Sequence, residues 1–367
     1  MLIKPEIQKF AKIRVIGVGG AGGNAIHHMI ESQKIQGVDF VAVNTDLQAL
    51  TRNAASSKLQ IGQQLTNGLG SGANPSVGRG AAEESTEDIK NMLQGSDMVF
   101  ITAGMGKGTG SGASPIVADL ARSINALTVA VVTKPFSFEG PHRARNAEES
   151  IEDLKGKVDA LIVIPNQRLL QLSDNKLPLS EAFSMSDSIL AQGVQGISDL
   201  IVLPGLVNVD FADVKTIMTN AGSALMGIGT ASGENRAQAA AKMAISSPLL
   251  DVSVSGAKGI LFNIVGGNDI TMHEVDEAAR IISDAADPDA NIIFGATIDE
   301  NMSEQLKITV VATGFDAETQ QFESERYDPV VEKEEETVAS EESTSHNYNS
   351  SSVDDDPLDI PAFLRRK

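Results

Sequence analysis

The chain has 367 residues, 41% of them hydrophobic, and a mean hydropathy near zero, which fits a soluble globular protein large enough for two cores. The absence of cysteine excludes disulfides, thiolate metal sites and a cysteine nucleophile. A net charge of −20 argues against nucleic acid as a partner, and with neither an apolar signal region nor a long apolar run, no secretion and no membrane span are expected.

In chain order, "KIRVIGVG", "VDFVAVN", "DMVFITAG", "ALTVAVV" and "DALIVIP" read as strands, with "AIHHMIESQ" the first helix. These strands show little polar alternation, as expected when helices cover both faces of a parallel sheet. The fold class expected over residues 1–177 is therefore α/β, with a doubly wound, mostly parallel sheet. Residues 178–203 read as one long central helix, apolar at Leu179, Phe183, Ile189, Leu190, Val194, Ile197 and Ile201. Residues 204–315 give a smaller α+β domain, with helices near 211–219, 235–245 and 274–286, the run "SALMGIG", and strands "KGILFNIVGG", "ANIIFGATI" and "QLKITVVATG". From Asp316 to Lys367, 15 acidic and 5 basic residues put −10 on a short tail and leave −10 for the 315 residues before it. Residues 316–353 carry few large apolar side chains, so a disordered acidic linker is expected. Apolar residues return within 354–367, where Leu358 to Leu364 reads as either a frayed terminus or a docking peptide.

Three glycine-rich segments fall at strand ends. "AGMGKGTGSGASP" (103–115) has the composition of a backbone cradle for an anion. Lys107 is followed by Gly108, and no glycine lies five residues before Gly106, so this is not a P-loop. "GVGGAGGNA" (17–25) satisfies G-x-G-x-x-G at Gly17, Gly19 and Gly22, with Asp46 roughly where a ribose-binding acid would lie. By itself it fits a dinucleotide-binding oxidoreductase or only a tight strand–helix turn. "GLGSGANP" (68–75) is the third. One dinucleotide needs one such loop, whereas three at the ends of one sheet suit a cage around a polyphosphate, with helix N-termini adding partial positive charge.

Other residues have plain structural readings of their own. Glu139 and Arg143, four apart, make an ordinary surface pair. Phe183 and Asp187, one helical turn apart, read singly as core and solvent-facing. Asp210 caps a helix and Asp213 sits in its first turn. The five histidines have no metal-ligand spacing.

Taken together, "GVGGAGGNA", "NTDLQAL", "GLGSGANP", "GMGKGTGSG", "KPFSFEGPHR", "NVDFADVKTIM" and "LDIPAFLR" resemble, in order, segments of the tubulin/FtsZ GTPase family. The resemblance implies a self-assembling cytoskeletal GTPase that binds GTP or GDP with Mg²⁺. It implies that Gly19, Gly20, Ala21, Gly22, Asn24, Gly70, Ser71, Gly72, Ala73, Gly104, Gly106, Lys107, Gly108, Thr109 and Gly110 belong to the nucleotide cradle. Glu139, Arg143, Asn166, Phe183 and Asp187 fall on its ribose and base side, where the Asp187 carboxylate would accept the N1–H and N2–H donors that adenine lacks.

Asn208, Asp210 and Asp213 follow a helix of roughly 35 Å at 1.5 Å per residue, too far to reach the nucleotide of their own subunit. The resemblance assigns them to the next subunit's site, where the acids polarise the attacking water and Asn208 contacts the phosphate end. Hydrolysis then requires a head-to-tail homopolymer. The implied partners are further copies of the chain and, through Leu358 to Leu364, membrane-tethering and regulatory division proteins. The implied place is the cytoplasm, at a mid-cell ring beneath the inner membrane. Lys107 stands where the family usually has glycine, while Ser71, Ser111 and Ser114 are milder departures. The lysine either reaches a phosphate as a point charge or stands outward from the loop, and Lys107→Gly is expected to keep nucleotide binding. Two rivals stay open: a filament-forming GTP binder with little hydrolysis and, from the first loop alone, an NAD-dependent oxidoreductase.

Overall fold

The computed structural model describes residues 11–33, 35–170, 178–203, 205–247, 254, 256–300 and 302–315. The expected acidic linker and the Leu358 to Leu364 peptide lie outside the described residues.

The strands are β1 (Ile13–Val18), β2 (Val38–Asn44), β3 (Ser57–Gln60), β4 (Met98–Gly104), β5 (Leu127–Lys134), β6 (Ala160–Pro165), β7 (Gly222–Ser232), β8 (Gly259–Gly266), β9 (Asn291–Ile298) and β10 (Gln305–Thr313). They lie in the order β3-β2-β1-β4-β5-β6-β7-β10-β8-β9. The first six are parallel, with β1 paired to β2 on one side and to β4 on the other. The strand order reverses at β1, which opens a switch point between the turns that follow β1 and β4. Residues Gly222 to Ala224 of β7 extend the parallel sheet from β6, and the rest of β7 pairs antiparallel with β10.

The helices are α1 (Gly19–His28), α2 (Leu47–Arg52), α3 (Gln63–Thr66), α4 (Pro75–Glu84), α5 (Thr86–Leu93), α6 (Thr109–Ser123), α7 (Pro141–Lys155), α8 (Asn166–Leu169), α9 (Leu179–Val202), α10 (Phe211–Met218), α11 (Arg236–Ile245) and α12 (Met272–Asp284). Alternate strand residues supply opposite cores, as the two-residue period requires. Ile13 and Val15 pack in one with Val194 and Ile197 of α9, whereas Ile16 and Val18 pack in the other with Val117 of α6 and Leu154 of α7. A third core lies among β8, β10, α11 and α12. The α/β class and the mostly parallel sheet are thus those the apolar runs predict.

One local difference matters for the site. The glycine run 103–115 is only partly a loop, because α6 already begins at Thr109. Its glycines also let α6 and α4 approach closely. A Cβ on Gly112 would lie 2.5 Å from the Arg79 nitrogen, and one on Gly78 would lie 3.0 Å from the Thr109 Cα. Small residues here serve helix packing as well as the turn.

Candidate functional site

The parallel strands β1, β2, β4, β5 and β6 end along one edge, and two adjoining compartments open there. The first, about 220 Å³, is lined by Gly20, Ala21, Asn44, Thr45, Asp46, Gly70, Ser71, Gly72, Ala73, Gly104, Lys107, Gly108, Thr109, Gly110 and Arg143 among others. The second, about 210 Å³, is lined by Gly20, Ala21, Asn24, Gly104, Met105, Lys107, Thr133, Pro135, Glu139, Asn166, Phe183, Ser186, Asp187 and Leu190. All three glycine segments therefore converge on one cleft, and Gly20, Ala21, Gly104 and Lys107 line both of its parts.

The first compartment is walled largely by backbone. Gly108 has no room for a side chain, since a Cβ would strike the Ser71 hydroxyl and lie 2.8 Å from the Asn74 nitrogen and carbonyl oxygen. Three buried hydroxyls are strung together beside it: Thr109 Oγ1 lies 2.9 Å from Thr45 Oγ1 and 2.9 Å from Ser71 Oγ. The Asp46 carboxylate accepts from Gln48 N at 2.8 Å and Ala49 N at 3.1 Å, which caps α2. Three glycines expected in the cradle line neither compartment. Gly19, at φ +74°, packs on the Gly110 nitrogen, Gly22 packs on the Thr102 carbonyl, and Gly106 packs on the Arg143 carbonyl. They let α1 settle against α6 and β4, and the turn after β4 settle against α7.

The second compartment is built from side chains. Phe183 and Asp187 lie on the first turns of α9, and both line it. Phe183 meets Phe136 edge-on at 5.5 Å and Phe138 at 6.5 Å, while Phe136 and Phe138 stack at 5.1 Å. Burial pushes the Asp187 carboxyl up to about 7. Asn166 is buried, and its Oδ1 accepts from Ser186 Oγ at 2.9 Å. Glu139 and Arg143 form the ion pair their spacing suggests, at 2.6 Å. Glu139 lines the second compartment and Arg143 the first, so the pair spans the two.

Asn208, Asp210 and Asp213 line neither compartment. They lie beyond the far end of α9, whose 24 residues span about 36 Å. All three are exposed. Their loop is pinned to β9: Leu206 N donates to the Ala296 carbonyl at 2.8 Å, and Ala296 N donates to the Val207 carbonyl at 3.1 Å. Asn208 Oδ1 accepts from Gly205 N at 2.6 Å, and Asp210 caps α10 through Ala212 N.

From "NTDLQAL" the sequence suggests only Asp46, as a ribose-binding acid, yet Asn44 and Thr45 line the first compartment beside it. Ser186, between Phe183 and Asp187, was also missed. The fixed order of that motif relative to the glycine loops was the available signal for the first group. Among the described residues no cluster of carboxylate or imidazole groups could hold a metal ion. The oxygens near the first compartment are mostly hydroxyls, so the donor set fits a cation carried by an anionic ligand better than one held by the protein alone.

A cleft at the carboxyl ends of a parallel sheet, at its switch point, is where doubly wound α/β proteins bind nucleotides. Residues 12–174 match the GTPase domain of the Tubulin/FtsZ family, and residues 222–316 match the C-terminal domain of the FtsZ family. The chain is similar to the empty FtsZ dimer of M. jannaschii, at 49% identity over 84% of this chain and 89% of that one, with a TM-score of 0.81. It shares its fold with a GTPγS-bound protofilament of CetZ2 from Haloferax volcanii, at 24% identity over 86% of this chain and 97% of that one, with a TM-score of 0.70. The chain belongs to the tubulin/FtsZ family.

Proposed function

We propose that this protein is a cytoskeletal GTPase that assembles head to tail, hydrolyses GTP where subunits meet, and scaffolds a bacterial division ring. The observation that carries this reading is the separation of two half-sites along α9. The nucleotide cleft lies at its start, and the exposed Asn208, Asp210 and Asp213 lie beyond its end. A subunit so built cannot bring its own acids to its own phosphates, but a translated copy can, and a contact that does not close yields an open filament. The protofilament of the CetZ2 relative supports this arrangement.

In this reading the first compartment takes the phosphates and the second takes the nucleoside. Asp187 accepts from guanine N1–H and N2–H, Phe183 stacks on the base, and Glu139 and Arg143 flank the ribose. The hydroxyls of Thr109 and Ser71 would be the side-chain oxygens available to a Mg²⁺ carried by the phosphates, and the ion would supply neutralisation of their charge. Asp210 and Asp213 polarise the attacking water in the next subunit's site, and Asn208 contacts the terminal phosphate. No described helix is long and apolar enough to cross a membrane, so attachment beneath the inner membrane at mid-cell falls to tethering proteins that dock on Leu358 to Leu364.

The test is GTP turnover per subunit against protein concentration, with light scattering recorded alongside and ATP as control. Turnover that rises above a threshold where scattering also appears, with ATP inert, is the expected result. Turnover independent of concentration removes the shared site, and filaments without turnover favour a purely structural GTP binder.

A further inference from the structure

Between Ala103 and Pro115, Lys107 is the one exposed residue; its neighbours are buried or half-buried. The backbone on either side of it is closely packed. Gly106 lies against the Arg143 carbonyl, which a Cβ there would meet at 2.6 Å, and Gly108 lies against Ser71 and Asn74. The open side of this loop faces the cleft, and Lys107 lines both compartments. Its position is therefore the seam between them, where the phosphate chain of a bound nucleotide joins the nucleoside.

Charge gives that position a purpose. The other cation lining the first compartment, Arg143, is already paired with Glu139 at 2.6 Å. Asp46, which also lines it, adds negative charge. Among the described residues Lys107 has no ion-pair partner, and a flexible ammonium is a point charge suited to phosphate oxygens. We propose that Lys107 is a built-in counter-cation for the nucleotide phosphates, one that takes over part of the charge neutralisation that Mg²⁺ supplies and so lowers the divalent-cation requirement for binding. This rests on the reading of the cleft as a guanine-nucleotide site.

The experiment measures dissociation constants of guanosine, GMP, GDP and GTP in excess Mg²⁺ and in excess EDTA. It compares wild type with Lys107→Met, which keeps the apolar stem, Lys107→Gly, and Lys107→Arg. Removing Mg²⁺ is expected to weaken GTP about threefold in wild type but about 30-fold in the Met and Gly variants. The wild-type advantage should be absent for guanosine and grow from GMP to GTP, and Arg should restore most of it. An equal Mg²⁺ dependence in wild type and Lys107→Met, or an advantage independent of phosphate number, overturns the proposal. Wild-type protein that binds none of the four ligands overturns the site reading instead, and the lysine's role with it.

Discussion

The two compartments of the cleft solve their problems with different materials. The first is shaped by main chain: Gly20, Gly70, Gly72, Gly104, Gly108 and Gly110 all line it, and side chains enter mainly as short hydroxyls. The second is shaped by Phe183, Asp187, Asn166 and Glu139, each fixed by a neighbour or by burial. A backbone cradle recognises what all phosphates share, and at Gly104, Gly108 and Gly110 it leaves no room for a side chain. A side-chain pocket recognises what distinguishes one base from another and can be re-tuned one group at a time. Substitutions that add volume to the tightly packed backbone of the first should therefore weaken binding of every nucleotide, whereas those in the second should change which nucleotide binds.

The largest effect is expected from Gly108→Ala. The new methyl must displace the Ser71 hydroxyl and the Asn74 backbone, and overpacking against main chain has no cheap relief. GTP, GDP and GMP should all lose at least about 100-fold in affinity by calorimetry, with the circular dichroism of the sheet retained. A loss confined to one nucleotide would break the comparison.

Asp187→Asn comes next, and it should act on identity rather than on binding in general. Replacing a carboxylate by an amide removes one acceptor and places an N–H₂ against guanine's own donors. GTP should weaken by about 100-fold. Xanthosine triphosphate, whose ring offers a carbonyl at that position, should gain on it. Equal losses for both bases would mean that Asp187 does not face the ring.

The raised Asp187 pKa of about 7 makes a third test, with a definite sign. Only the ionised carboxylate can accept both guanine donors, so guanosine affinity should fall about tenfold per pH unit below 7 and level off above it. Guanosine is the right probe because it has no phosphate to titrate. Stability of the ligand-free protein runs the other way. The folded state holds a proton that the unfolded chain releases above the ordinary carboxylate range, so stability falls as pH rises from about 4 to 7. Asp187→Asn should therefore raise the Tm of the ligand-free protein more at pH 8 than at pH 5, and flatten the guanosine profile. A Tm gain that is the same at both values would remove burial as the cause.

The same contrast explains how much could be read in advance. Buried parallel strands are legible because their apolar runs are local, and β1, β2, β4, β5 and β6 all appear as such runs. The edge strand β3 does not, because in "SKLQ" two residues are exposed and two half-buried. Glycine segments are visible in composition, but composition cannot separate Gly20, which lines both compartments, from Gly22, which only lets α1 settle on the Thr102 carbonyl. Thr45 meets Thr109 across 64 positions, and Phe136 meets Phe183 across a similarly long stretch. Such pairs are set by the path of the sheet rather than by any local pattern.

The smallest effect sharpens the comparison most, because it concerns a side chain in the compartment that main chain dominates. Ser71 Oγ shares Thr109 Oγ1 with Thr45 at equal distances of 2.9 Å. Ser71→Ala leaves Thr109 with its other partner, and a single neutral hydrogen bond is worth about 1 kcal/mol net. The expected cost is a roughly fivefold or smaller loss in GTP affinity, shared by GDP. Thr109→Val should cost more, since it removes the hydroxyl that both neighbours use and strands two buried oxygens. If Ser71→Ala instead equals Gly108→Ala in its effect, the first compartment depends on side-chain hydroxyls as much as on backbone. The rule that separates the two compartments would then have to be replaced by one based on distance from the phosphates.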